Sequence, residues 1–367
     1  MEIFFTSDII RAIAVFGTAF LIAFYSIPVI VSVAVSKNFF AIKNGRNSHV
    51  HATPTLGGVA IFSGLMISSL IFLNFQSFLG LQYIFAGLTI IFFIGIKDDI
   101  LSLSPLKKLV GQIAASLLVI DLGNIRFTTL HGFAGIYEIN YFTSLYISLF
   151  VFIVIINAFN LIDGIDGLAA GIGFVCAMTF GTWFLIAGFP EIAIMAYSVS
   201  GALIAFFIFN VFGNKNKIFM GDTGSLLLGF LSAILVVVFN EKNAVLNVHA
   251  AVYAAPAVSI GILAIPLFDT FRIFTIRITK MQSPFRADRN HIHHRLLDLG
   301  LSHFQSTLIL QFVNLLIIAM VFILQFFIRD ILILVMITFA LCIGLSQVPV
   351  LLLKARSIKE LHNTISS

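Results

Sequence analysis

Residues 142–167 read Phe142-Thr-Ser-Leu-Tyr-Ile-Ser-Leu-Phe-Val-Phe-Ile-Val-Ile-Ile-Asn157-Ala-Phe-Asn160-Leu-Ile-Asp163-Gly164-Ile165-Asp166-Gly167. Positions 142–159 carry no charge and only scattered small polar groups, close to the roughly 20 apolar residues with which a helix crosses a hydrocarbon layer about 30 Å thick. The apolarity is continuous, whereas a barrel strand alternates over about ten positions. Ten further runs share this character: 10–35, 56–74, 79–96, 106–121, 167–188, 191–212, 224–239, 250–268, 306–328 and 331–353. They belong to a chain of 367 residues that is 60% hydrophobic and 10% charged, with 41 phenylalanines and a mean hydropathy of +1.09. A soluble domain carries about a quarter charged residues to meet water, so this composition excludes one. No stretch is polar enough for a second domain, and the sequence predicts one all-α, polytopic integral membrane bundle of about 11 helices over 1–367. The first run lacks the basic leader and small-residue cleavage site of a signal peptide and is read as a span. Cys176 and Cys342 sit in apolar runs and predict no disulfide.

Eleven spans put the termini on opposite sides and divide the connections into two sets. Seventeen of the 21 Lys and Arg residues fall after spans 1, 3, 5, 7 and 9 or in the C-terminal tail, and the other set holds only Arg11, Arg126, Lys242 and Arg329. The positive-inside rule makes the first set cytoplasmic, with the N-terminus outside and the C-terminus inside. The outer connections are short and suggest no chemistry. In 121–141, Ile125-Arg126-Phe127-Thr128 and Ile136-Tyr137-Glu138-Ile139 alternate about a Gly-containing turn and predict a small hairpin.

Five cytoplasmic connections carry more polar chemistry than spanning requires. The first runs from Arg46 through His49, His51 and Thr53 to Gly57 and Gly58; Pro54 and the paired glycines permit a tight turn and close backbone approach, and by itself it also reads as a lipid-headgroup loop. Lys97-Asp98-Asp99 puts an acidic pair at a helix C-terminus, where the macrodipole favours cations, so a positive partner is expected: a metal ion, Lys97, Lys107 or Lys108. Asn157, Asn160, Asp163 and Asp166 recur every three residues, which gathers them on one side of a helical turn. Amides, carboxylates and glycines together suit a hard cation such as Mg²⁺ and a nucleotide. The fourth, Lys215-Asn-Lys217-Ile-Phe219-Met-Gly221-Asp222-Thr223-Gly224-Ser225, places an acidic cap at a helix start and is similar to a phosphate cradle without being a P-loop. The fifth, 270–305, holds Arg286-Ala-Asp288-Arg289-Asn290-His291-Ile292-His293-His294-Arg295. On a helix His291, His294 and Arg295 would share a face with His293 off it; lacking His-Glu-x-x-His, the cluster reads as an anion grip or an interfacial amphipathic helix. All five fall on one membrane face and are read as one site.

Asp98-Asp99, Asn157 to Gly167, Phe219 to Ser225 and Arg289-Asn-His291-Ile-His293-His294 resemble, in order and over nearly the whole chain, the motifs of the polyprenyl-phosphate N-acetylhexosamine-1-phosphate transferases. Ile292 interrupts the consecutive histidines of the muramoyl-pentapeptide branch. The chain is more similar to the branch that uses UDP-GlcNAc to prime O-antigen, enterobacterial common antigen and teichoic acid. The resemblance implies that undecaprenyl phosphate attacks the β-phosphorus of a UDP-N-acetylhexosamine and releases UMP. It implies Asp222 and Asn160 as ligands of Mg²⁺, or of Mn²⁺. Asp98, Asp99, Asp163 and His291 are implied as catalytic, with Asp98 and Asp99 beside the lipid phosphate as base or in the metal shell. Asp163, Gly164, Ile165, Asp166 and Phe219 are implied at the nucleotide, the phenyl ring stacking on uracil. Arg289, His291, His293 and His294 are implied at sugar and diphosphate, Lys107 or Lys108 at the lipid phosphate, and His49, Thr53, Gly57 and Gly58 along the border of the pocket. The resemblance further implies a bacterial cytoplasmic membrane, a site facing the cytoplasm, bilayer and substrates as partners, no nucleic acid, and room for a homodimer. With a second phosphate pKa of about 6 the acceptor is already mostly ionised, so positioning outweighs proton abstraction. Two alternatives stay open: another UDP-N-acetylhexosamine as donor, and a secondary transporter, against which stand the absence of repeats and of midplane charges.

Overall fold

The computed structural model of the protein describes residues 2–37, 53–244, 250–279, 281 and 291–366. Among these the helices are α1 (Glu2–Ser36), α2 (Gly57–Phe72), α3 (Leu81–Leu101), α4 (Pro105–Leu117, prolonged by a π-helical turn Leu118–Leu122), α5 (Tyr141–Ile162), α6 (Leu168–Ile186) and α7 (Pro190–Phe212). They continue as α8 (Gly221–Ala244), α9 (Ala255–Ile262), α10 (Ala264–Thr279), α11 (Ile292–Asp298), α12 (His303–Leu324) and α13 (Ile331–Ser366). The protein is a polytopic helical membrane protein. Among the described residues α1, α5, α6, α7, α8, α12 and α13 are each long and apolar enough to cross a membrane, and α9 with α10 makes an eighth if the bent pair is one span. The other three apolar runs lie on α2, α3 and α4; α2, with 16 residues, is about 24 Å long.

Helix α8 is the axis of the bundle. It is apolar on every side from Leu226 to Phe239, a pattern that suits either a protein interior or lipid, and here every residue from Thr223 to Asn240 is buried. α2, α3, α5 and α6 pack directly on it, while α1 packs on α7 and α2 one layer out. Ile13, Tyr25 and Val29 of α1 and Phe312 and Leu316 of α12 are exposed. An apolar exterior around an apolar centre suits lipid rather than water.

The ninth apolar run departs from the sequence expectation of a continuous span over 250–268. The helix starts only at Ala255, α9 ends at Ile262, and α10 leaves at 79°. Pro266 accounts for the break, because a proline ring collides with the carbonyl four residues earlier and offers it no N–H. The released Ile262 carbonyl accepts from Asn314 Nδ2 at 3.1 Å and Cys176 Sγ at 3.2 Å, and Ile265 N–H donates to Asn314 Oδ1 at 3.4 Å. A broken helix is tolerated in apolar surroundings when its polar groups are satisfied again in this way. α10 then runs on to Thr279, so the segment read as a connection from residue 270 begins as helix.

On the opposite side from the motifs, β1 (Thr129–Phe133) and β2 (Ile136–Glu138) pair antiparallel. The expected hairpin forms, but its first strand starts at Thr129, after 125–128. The two-residue turn Ala134-Gly135, with φ of 50° and 79°, pairs Phe133 with Ile136, and an irregularity before it brings Thr129 opposite Glu138. Arg11 reaches Asp8 at 3.1 Å, Glu191 at 3.2 Å and the Phe72 carbonyl at 2.7 Å, and Glu191 also accepts from Asn74 N–H at 2.8 Å. These groups fasten α1, α2 and α7 together.

Candidate active site

The site is built around the first turn of α8. Asp99, at the end of α3, accepts from Asp222 N–H at 2.7 Å, Thr223 N–H at 3.0 Å and the Thr223 hydroxyl at 2.5 Å. Its carboxylate caps α8 from a neighbouring helix and fills the anion position at the helix N-terminus that the sequence left to a phosphate. Close approach makes this possible: a Cβ at Gly95 would stand 2.3 Å from Thr223 Cα, and one at Gly58 2.2 Å from Gly224 N. Gly57 and Gly58 N–H donate to Phe219 O and Met220 O at 2.9 Å, and Phe219 N–H donates to Pro54 O at 2.8 Å. Thr53, Gly57 and Gly58 thus lie on or beside a short ladder that holds the segment leading into α8.

Lys108 of α4 ends among oxygens. Its Nζ is 2.6 Å from Asp222 Oδ1, 2.9 Å from Asp98 Oδ2 and 3.4 Å from Asn160 Oδ1. Asn160 Nδ2 donates to Asp222 Oδ1 and, at 2.9 Å, to Ser225 Oγ. Lys107 is exposed and has no part in this cluster. The acidic pair therefore has two different partners, the Lys108 ammonium for Asp98 and the α8 N-terminus for Asp99. Among the described residues no three His, Cys, Asp or Glu side chains form a ready metal cage. The oxygens of Asp98, Asp222 and Asn160 instead converge on one ammonium, the donor chemistry that a hard cation takes.

The spacing of three in Asn157 to Asp166 does not produce one helical face, because α5 ends at Ile162. Asn157 donates to Gln112 Oε1 at 2.9 Å and ties α5 to α4. Asp163 to Gly167 form a turn in which Gly167 takes φ 79° and Ile165 is buried in the core. Asp166 Oδ2 lies 2.7 Å from Lys217 Nζ and 3.4 Å from His303 Nδ1, and Lys217 Nζ sits 5.9 Å over the Phe219 ring. Asp163 is pushed up to about 8, first by burial and then by the carboxylates of Asp222, Asp99 and Asp166.

The histidines are arranged differently from a continuous helix. α11 begins at Ile292, so His291 precedes it and turns to α10, where its Nδ1 lies 2.8 Å from Asp269 Oδ2. His293, expected off the shared face, is the ring that meets the 163–167 turn: a Cβ at Gly164 would stand 2.3 Å from its Nε2. His293 stacks on His291 at 5.5 Å and lies 4.3 Å from the His294 ring. Burial, helped by His294, His291 and His303 and opposed by Asp269, pushes His293 down to about 3, which makes it a neutral hydrogen-bonding group at neutral pH. Arg289 and His49 lie outside the described residues. Sequence reasoning passed over Asp269, His303 and Asn210, whose Oδ1 accepts from Gly167 N–H at 2.6 Å. Asp269, a lone acid bordering an apolar run with Arg272 one turn on, had a readable signal.

The sequence profile of Glycosyl transferase family 4 matches residues 81–240, which include Asp98, Asp99, Lys108, Asn160, Asp163, Asp166 and Asp222. A Bacillus subtilis protein described as a probable undecaprenyl-phosphate N-acetylglucosaminyl 1-phosphate transferase is 30% identical over 306 residues, 83% of this chain and 82% of its own. The undecaprenyl-phosphate alpha-N-acetylglucosaminyl 1-phosphate transferase of Escherichia coli (strain K12) is 30% identical over 270 residues, 72% of this chain and 70% of its own. The decaprenyl-phosphate N-acetylglucosaminephosphotransferase of Mycolicibacterium smegmatis is 29% identical over 330 residues, 82% of this chain and 79% of its own.

Proposed function

The chain belongs to the polyprenyl-phosphate N-acetylglucosamine-1-phosphate transferase family, and on that premise we propose that it transfers GlcNAc-1-phosphate from UDP-GlcNAc to undecaprenyl phosphate, releasing UMP. The observation that carries this reading is the convergence of Asp98, Asp222 and Asn160 on Lys108 beside the Asp163–Gly167 turn. An acceptor phosphate oxygen forms a bond to the β-phosphorus, the bond from that phosphorus to the bridging oxygen breaks, and the electron pair leaves on UMP. Two anions must meet for this to happen, so most of the catalytic task is positioning and charge neutralisation.

Lys108, already held between two carboxylates, is poised to pass to an incoming lipid-phosphate oxygen. Asp99 keeps the first turn of α8 in place and thereby aims Asp222. Asp222 and Asn160, with Asp98 beside them, would hold Mg²⁺ or Mn²⁺, which when bound supplies Lewis-acid neutralisation of the diphosphate. Phe219, Asp166 and Lys217 form the nucleoside end, and His291, His293 and His294 the sugar and diphosphate end. The site faces the cytoplasm of a bacterial inner membrane, with eleven spans, the N-terminus outside and the C-terminus inside; the basic residues favour this orientation. The test is purified protein in nanodiscs with undecaprenyl phosphate, Mg²⁺ and a panel of UDP-N-acetylhexosamines, following UMP and lipid-linked sugar. UDP-GlcNAc should be the preferred donor, and chelation should stop turnover until Mg²⁺ is restored. Folded protein that turns over none of the donors would refute the reading.

A further inference from the structure

Helix α10 carries a buried carboxylate, Asp269, that stands apart from the Lys108 cluster. Asp269 is only 2% exposed and is flanked by the buried Phe268 and Ile265. An ionised carboxylate in such surroundings is costly unless it is paired and hydrogen-bonded. Both of its oxygens are engaged: Oδ2 with His291 Nδ1 at 2.8 Å, and Oδ1 with Ile292 N–H at 2.9 Å and Arg272 Nη2 at 3.3 Å. Two of the three partners lie beyond the segment joining α10 to α11, so the contact is a clamp between distant parts of the chain.

The bland interpretation is a buried ion pair that fastens α11 to α10. Fastening requires less than is present, because Ile292 and Leu296 of α11 are themselves buried and Arg272 already balances the charge of Asp269. The imidazole adds something else. A ring whose Nδ1–H is committed to a carboxylate has a fixed tautomer and orientation, and its Nε2 is left for another partner. The same clamp sets the start of α11 and so seats His293 against Gly164, between Asp163 and Asp166.

We propose that Asp269 is a positioning residue of the transfer reaction: acting through His291, it fixes that ring with Nε2 toward the sugar diphosphate and seats His293 on the Asp163–Asp166 turn. The proposal rests on the transferase reading. Asp269→Asn keeps the shape and an acceptor for Ile292 N–H but removes the charged acceptor for Nδ1–H. In nanodiscs it should lower kcat by about 10- to 100-fold, with KM for undecaprenyl phosphate unchanged, since the lipid phosphate lies at Lys108. Because one residue acts through the other, the double variant Asp269→Asn/His291→Gln should be no slower than His291→Gln alone. Full activity in folded Asp269→Asn, or losses that simply multiply, would overturn the proposal. Wild-type protein inert toward every UDP-N-acetylhexosamine would instead strike the transferase reading. A second measurement depends on neither turnover nor the folding of Asp269→Asn: solid-state NMR of ¹⁵N-histidine protein, with His291 assigned through His291→Gln. The proton should be found on Nδ1, and a bare Nδ1 would overturn the proposal.

Discussion

Replacing Gly95 by alanine tests how the first turn of α8 is held. The new Cβ would lie 2.3 Å from Thr223 Cα, 2.8 Å from Thr223 N and 3.1 Å from Asp222 O, all backbone atoms that no rotamer change can move aside. Ordinary contact begins at 3.4 Å, so α3 and α8 must part by about 1 Å. That displacement carries the Asp99 bonds to Asp222 and Thr223 N–H, now 2.7 and 3.0 Å, beyond hydrogen-bonding range, and draws Asp98 away from Lys108. Overpacking of this kind costs about 1–3 kcal/mol of stability, and a 1 Å misplacement at a reacting site costs about 100-fold in rate. The assay is thermal unfolding and UMP release in nanodiscs, with Gly17→Ala as control because a Cβ there meets nothing within 4 Å. Gly95→Ala should melt earlier and turn over about 100-fold more slowly, with Gly17→Ala at wild type in both. Wild-type melting and rate in Gly95→Ala would refute the claim that the Asp99 cap positions Asp222.

Lys108→Met should nearly abolish turnover while Lys107→Met stays near wild type, because only Lys108 reaches Asp98, Asp222 and Asn160; equal losses in steady-state kinetics would contradict the assignment. Asp163 has a pKa of about 8, above its ordinary 3.8, so protonation stabilises the ligand-free fold and this contribution is lost as pH rises from about 4 through 8. Asp163→Asn removes the loss, and its melting temperature should exceed that of wild type by a margin that widens up to pH 8 and then levels; parallel pH curves would exclude it. For topology, both native cysteines are buried, so single cysteines can be labelled against a quiet background. One at Ser48 should be shielded from an impermeant external reagent and one at Ser77 should react; the reverse pattern would invert the orientation.

The bundle was legible because its signal is one-dimensional. Each apolar run falls on helix over most of its length, but the central place of α8 was not legible, because α1 and α12 are as apolar and face outward. Hydropathy is blind to the backbone, so the bend at Leu263 was missed although Pro266 announces it. The chemical motifs were legible as a set, but the division of labour within them was not. Asp98 and Asp99, like Lys107 and Lys108, differ by about 100° around a helix, and which member faces α8 depends on how the helix is rotated in its packing. The same limit applies to His291 and His293, whose roles turn on α11 beginning at Ile292. Asp269 could be noticed from Arg272 one turn on, but its link to the histidine motif could not, because His291 and Ile292 lie 22 and 23 residues away in sequence.

The most direct test of the transfer follows the β-phosphorus itself. UDP-GlcNAc carrying radioactive phosphorus at the β position, incubated with the protein, Mg²⁺ and undecaprenyl phosphate in nanodiscs, should yield a labelled lipid and an equal amount of unlabelled UMP. A lipid that gains sugar without label while labelled UDP is released, or label that never enters the lipid, would contradict phosphosugar transfer at this site.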